Sequence, residues 1–192
     1  MADPDPLTEL RRWLEDAESA GAPAPWSVAF VTVGDHGRPS ARTVTLKRLE
    51  QDALVFTTAL WTRKAGELAA NPEVALLFHW PALGRQVHIT GRAQAGERAL
   101  AVELFAERDL PNRLQAIVSR QGETIEDLQE IRERLEHLSS TMEAPPECPE
   151  DWGAVRVIPR TVELWSEAED RLHERLLYER GDQGWNMTRL AP

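Results

Sequence analysis

The chain has 192 residues and a formal net charge of -10, with 42% hydrophobic and 28% charged residues, an ordinary balance for one globular domain with a sizeable core. That acidity argues against a nucleic-acid binder, which needs basic surface to displace counterions. No apolar run approaches the roughly 20 residues of a membrane span, the start Met1-Ala2-Asp3-Pro4-Asp5-Pro6 is unlike a signal peptide, and the lone Cys148 excludes an intrachain disulfide or a cysteine-cluster metal site. A cytoplasmic location is expected.

Asp5-Pro6 reads as a helix start, with Asp as N-cap and Pro in the first turn. Leu7, Leu10, Trp13, Leu14 and Ala17 then share one face, and Gly21 stops the helix. Val28 to Val33 reads as a strand, with Gly34-Asp35-His36-Gly37 as a hairpin turn. Strands follow over 42–47 and 54–58, and a helix from Thr62-Arg63-Lys64 to about Ala70, stopped by Asn71-Pro72. Val74 to Trp80 is a nearly continuous apolar run, which predicts a buried strand, and Gln86 to Ala95 alternates and pairs with it. From Glu97 the period changes to that of helices, over 97–107, 111–121 and 124–143. In the last, Ile125, Leu128, Ile131, Leu135 and Leu138 form a stripe that reads as an ordinary packing face. After the proline-rich loop 144–150, strands return over 154–158, 162–165, 172–178 and 185–190, with Gly181 to Gly184 as the last turn. Antiparallel strands at both ends with helices between predict a single domain, mainly β with α, built on a barrel.

The stretch from Arg42 to Lys64 stands out. It carries five cations against Glu50 and Asp52, and it holds the only two lysines, Lys47 and Lys64. Alternation puts Arg42, Val44 and Leu46 on one strand face and Thr43, Thr45 and Lys47 on the other. Two cations beside the open backbone N–H groups of a helix start suit a phosphate or another anion. The stretch taken alone is equally well a solvated basic edge. His36, His79, His88 and His137 have no metal-ligand spacing, so no metal is expected, and Cys148 reads as a bystander.

Four segments look built for a ligand: Arg42 to Lys47, Thr57 to Lys64, Arg85-Gln86-Val87, and Trp165 to Arg175 with its Arg171-Leu172-His173-Glu174-Arg175. Together with Thr-Arg-Lys-Ala-x-Glu-Leu and the terminal Arg189-Leu190-Ala191-Pro192, they resemble the pyridoxine/pyridoxamine 5′-phosphate oxidase family over nearly the whole chain. The resemblance implies an FMN-binding split β-barrel of antiparallel strands with flanking helices, acting as a homodimer. It implies that Arg42, Arg63 and Lys64 hold the FMN phosphate, that Thr57 and Thr58 meet the phosphate and ribityl chain, and that Gln86 and Gln121 reach the flavin ring. Trp165 and Arg175 match flavin contacts supplied across the dimer interface. Lys47 and Arg108 match substrate-phosphate contacts, and Arg171 and His173 match residues over the substrate ring. The implied chemistry is hydride transfer from substrate to flavin N5, then reoxidation by O2, giving pyridoxal 5′-phosphate.

The sequence departs from the family in its helical segment. Leu104 stands where the family has a Tyr, Asn112 where it has a Ser, and Gly122 replaces a Ser beside Gln121. The family's Arg-Leu-His-Asp-Arg ends here in Glu174-Arg175, and its N-terminal arm is nearly absent. The Arg-Leu-His-Glu-Arg form, the short start and the Ser119-Arg120-Gln121 run resemble the related flavin oxidases of phenazine biosynthesis. The alternatives are therefore an oxidase of a reduced ring compound in secondary metabolism and a flavin- or vitamer-binding protein without turnover. On residues alone Trp165 is equally a core residue, Arg108 reads nearly as well as a surface salt-bridge partner, and a satisfied core histidine is the lesser reading of His173.

Overall fold

The computed structural model describes residues 5–192. In chain order its elements are α1 (Pro6–Ser19), β1 (Ser27–Val33), β2 (Pro39–Thr45), β3 (Arg48–Leu49), β4 (Leu54–Ala59), α2 (Arg63–Ala70), β5 (Glu73–Trp80), β6 (Arg85–Ala95), α3 (Arg98–Ala106), α4 (Leu110–Val118), α5 (Leu128–Thr141), β7 (Trp152–Ser166), β8 (Glu174–Gly181) and β9 (Gly184–Leu190). The strands form one curled sheet in the order β2-β1-β5-β6-β7-β4-β3, and β8 pairs β7 and carries β9. The pairs β1–β2, β1–β5, β3–β4, β5–β6, β7–β8 and β8–β9 are antiparallel, and in β1 against β2 Phe30 faces Arg42 and Thr32 faces Ser40. This is the split-barrel arrangement with flanking helices that the sequence predicts. Among the described residues no helix is long and apolar enough to cross a membrane.

The chain divides into two compact units. The first takes in the chain up to Phe56, Glu67–Gln94 and Arg156–Pro192. Its core is the inward face of the strands, including Val28, Phe30, Leu76, Phe78, Val87, Ile89, Val162 and Tyr178, all buried. The α1 face Leu7, Leu10, Trp13, Leu14 and Ala17 is buried as its 3.6-residue spacing predicts, and the Asp5 side chain caps it by accepting from Leu7 N–H at 3.1 Å. Each large buried side chain contributes about 1.5–3 kcal/mol of transfer free energy. Gly91 on β6 marks a close backbone crossing. A Cβ there would lie 2.4 Å from the Ile158 carbonyl oxygen and 3.0 Å from Pro159 Cα.

The second unit comprises Thr57–Gly66 and Ala95–Val155. Ala59, Phe105, Ala116 and Trp152 form its core, with Trp61 and Cys148 packed on it. Arg98 ties down the following loop: its guanidinium donates to the carbonyls of Cys148 (2.7 Å), Pro149 (2.9 Å) and Trp152 (2.9 Å), and to Cys148 Sγ (3.3 Å). Cys148 is thus a half-buried free thiol held in place by Arg98.

Several expectations need correction. The Val74–Trp80 run is not buried on both faces: Val74, Leu76, Phe78 and Trp80 are buried, while His79 is exposed. The strands expected at 154–158 and 162–165 are one strand, β7, that runs through Pro159. Helix α4 ends at Val118, so Gln121 follows in an exposed non-helical stretch. Helix α5 starts at Leu128 and has no buried residue. Ile125 and Leu128, at 48% and 51% exposed, do not form the closed packing face that their spacing suggests.

Candidate functional site

In the first unit, most of the residues singled out from sequence fall at two places. The turn between β7 and β8 carries Arg171 and His173. They line an open cavity of about 600 Å³ together with Pro81 to Gly84, Glu167, Ala168 and Glu169. Several contacts fix this turn. Glu167 N–H donates to the Gly84 carbonyl at 2.8 Å, and Arg171 N–H to the Ala168 carbonyl at 3.1 Å. Leu172 N–H donates to Asp170 Oδ1 at 2.9 Å. Arg171 is held at φ +65, in the left-handed region that a non-glycine residue rarely adopts. Its own side chain is exposed.

The His173 ring packs on Trp165, with centroids 4.8 Å apart. Its Nδ1 accepts from Ala168 N–H at 3.2 Å. A neutral His173 therefore carries its hydrogen on Nε2, which makes that nitrogen the donor. Trp165 faces Arg175 across the β7–β8 pair. Arg175 donates through Nε to Glu163 at 2.7 Å and through a terminal nitrogen to the Ala191 carbonyl at 3.2 Å. The Glu163 hydrogen bond holds the Arg175 guanidinium above its ordinary value.

The second place is the β1–β2 hairpin. The half-buried Arg42 donates to Thr32 Oγ1 (2.5 Å), to Ser40 Oγ (2.8 Å) and carbonyl (2.9 Å), and to Glu67 Oε2 (3.2 Å). Sequence reasoning did not single out Thr32 or Glu67 as functional, although Glu67 lies in the quoted Thr-Arg-Lys-Ala-x-Glu-Leu motif. Lys47 lies exposed between β2 and β3, and its backbone N–H donates to Val55. Gln86 is half-buried on β6 opposite His79.

In the second unit, Lys64 Nζ donates to Thr58 Oγ1 at 2.9 Å and Thr62 Oγ1 at 3.4 Å. Both threonines are buried. Thr62 closes the start of α2: its carbonyl accepts from Ala65 N–H at 2.9 Å, while its hydroxyl donates to the Ala59 carbonyl at 2.8 Å. Arg63 is exposed on the first turn, and Thr57 is half-buried on β4. The Lys64 ammonium at a helix start is a cationic donor whose chemistry suits a phosphate monoester, and the two threonine hydroxyls hold it there by accepting from it.

Arg108 stacks over Trp152 with its guanidinium carbon 4.6 Å from the ring centroid, and one terminal nitrogen donates to the Asn112 carbonyl at 2.8 Å. Its Nε is buried without a hydrogen-bond partner, and burial lowers its pKa from the ordinary guanidinium value. The Asn112 amide donates to Asp109 Oδ1. Leu104 is 1% exposed and belongs to the core. Gly122 has φ +96, which a serine would adopt only under strain.

A family model described as pyridoxamine 5′-phosphate oxidase matches residues 14–141, and a second, described as the pyridoxine 5′-phosphate oxidase C-terminal dimerisation region, matches residues 152–192. The chain belongs to the pyridoxamine 5′-phosphate oxidase family. It is a flavin-dependent oxidoreductase of that family. The pyridoxine/pyridoxamine 5′-phosphate oxidase of Rubrobacter xylanophilus is 43% identical over 192 residues, spanning 100% of this chain and 88% of the relative. That of Gluconobacter oxydans is 40% identical over 189 residues, spanning 98% and 94%. Among solved structures, PhzG from Burkholderia lata 383 in complex with tetrahydrophenazine-1-carboxylic acid superposes with a TM-score of 0.92 at 29% identity, over 99% of this chain and 94% of that one. An FMN-binding protein from Nostoc punctiforme, at 19% identity and a TM-score of 0.80 over 96% of each chain, shares the fold.

Proposed function

We propose that the protein is an FMN-dependent oxidase that converts pyridoxine or pyridoxamine 5′-phosphate to pyridoxal 5′-phosphate, acting in the cytoplasm as a homodimer in which the whole chain serves as one functional domain. The observation that carries this reading is the cavity lined by Arg171 and His173, in a chain 43% identical to a protein named for that activity. Arg42, Arg63 and Lys64 would hold the FMN phosphate, with Thr57 and Thr58 beside it. Gln86, Gln121, Trp165 and Arg175 would meet the flavin ring and chain. FMN held by these residues would supply the redox chemistry, hydride acceptance with O2 as the final oxidant. Lys47, Arg108 and Asn112 would bind the substrate phosphate. The Arg171 guanidinium and the Nε2–H of His173 would orient and polarise the substrate ring.

The test is to add pyridoxine 5′-phosphate anaerobically to FMN-loaded protein and follow the flavin band. Bleaching that recovers in air is the expected result; an unbleached spectrum with both vitamers removes the substrate assignment. A second reading, an oxidase of a reduced ring compound of the phenazine type, is favoured by the likeness to PhzG and by the burial of Leu104 where the family has a Tyr. It predicts bleaching by a reduced tricyclic acid and no loss of affinity on Arg108→Ala.

A further inference from the structure

We infer that Glu67 is a positioning residue for the flavin phosphate, acting through Arg42; the inference rests on the FMN reading above. The Glu67 carboxylate is 9% exposed as a residue, on the last turns of α2. Its Oε2 accepts from Thr32 Oγ1 at 2.5 Å and from Arg42 at 3.2 Å. Thr32 is fully buried on β1, and its hydroxyl oxygen in turn accepts from Arg42 at 2.5 Å. One hydroxyl thus relays between carboxylate and guanidinium, and the three residues tie β1, β2 and α2 together.

The site is shaped around this carboxylate. A Cβ on Gly34 would come within 3.0 Å of Glu67 Oε1, so any larger residue there would press on its other oxygen. A buried carboxylate is retained only when its lone pairs are met, and here they are met by the side chain to be aimed. The guanidinium is planar and rigid, so fixing two of its nitrogens fixes the direction of the rest. An anchor at Glu67 therefore sets the direction of Arg42. Glu67 lies three residues after Lys64 in the same helix.

The test compares FMN with riboflavin, which lacks the phosphate, by fluorescence titration of apo-protein. Glu67→Ala should weaken FMN binding by about tenfold or more, the order of one displaced charge-assisted hydrogen bond. It should leave riboflavin affinity unchanged. Glu67→Gln keeps an accepting oxygen and should bind FMN within about threefold of wild type. Thr32→Val keeps the volume and removes the relay, and should repeat the Glu67→Ala pattern if that variant does not fold. Wild-type FMN affinity in Glu67→Ala, or parallel losses for FMN and riboflavin, would overturn the inference and leave the cofactor assignment standing. A wild-type protein that takes up no FMN would overturn both.

Discussion

Arg108 offers the sharpest test of substrate, because its structural and functional worth point in different directions. Replacing it by Ala removes the stacking on Trp152, worth about 1–2 kcal/mol for a partly desolvated cation, and the hydrogen bond to the Asn112 carbonyl, worth about 1 kcal/mol. It also removes a buried Nε without a partner, whose burial costs about 1–3 kcal/mol. These nearly cancel, so the variant should melt within about 4 °C of wild type. If the guanidinium binds the substrate phosphate, its loss costs about 1.5–3 kcal/mol, a fall of about 10- to 150-fold in kcat/KM for pyridoxine 5′-phosphate. Unphosphorylated pyridoxine should be oxidised no worse than by wild type. The assay is steady-state oxidation of the two compounds beside a thermal melt. A kcat/KM within twofold of wild type for the phosphate ester would refute the assignment, and equal losses on both compounds would show that Arg108 acts by holding the fold.

Gly91→Ala places a Cβ against the Ile158–Pro159 backbone, which cannot yield as a flexible side chain would, and should destabilise by about 1–3 kcal/mol, seen as a fall in Tm of roughly 3–10 °C; an unchanged melt would refute the crossing. Gly84→Ala forces a side chain onto φ +56 with its Cβ 2.8 Å from Glu167 Cβ, so it should displace the turn bearing Arg171 and His173 and raise KM, and a KM equal to wild type would count against that turn as the binding element. Burial raises the Cys148 thiol above its ordinary value, with Arg98 opposing in part, so its labelling by a thiol reagent at pH 8 should be slower than that of a free cysteine. The folded chain holds that proton more tightly than the unfolded one, so the stabilisation is present below the ordinary thiol value and lost as pH rises through the folded value; a melting temperature that climbs over this alkaline range would contradict it.

The parts of the fold governed by local rules were legible in the sequence. Asp5-Pro6 and the 3.6-residue spacing located α1 and its buried face, and Thr62-Arg63-Lys64 located the start of α2. What failed depended on neighbours distant in the chain. Strands expected at 154–158 and 162–165 flank Pro159, which lacks a backbone donor, yet β7 runs through it, with Gly91 leaving room for the backbone alongside. The α5 stripe has helical spacing but no cover over Ile125 and Leu128, which periodicity alone does not report. Among the site residues, the arginines and lysines could be named from their motifs. Glu67, Thr32 and Glu163, which hold Arg42 and Arg175 in place, belong to contacts formed only when separate strands and a helix meet.

The left-handed backbone at Arg171 ties the evolution of this cavity to that of its turn. Lysine at this position would inherit the strain without the forked head group, and glycine would relieve the strain and leave no head group at all. No single replacement improves one without losing the other. A lineage altering what the cavity accepts would have to rewrite Ala168 to His173 as a block, so divergence among relatives should appear there as changes of whole segments, with Arg171 replaced only where its neighbours are replaced too.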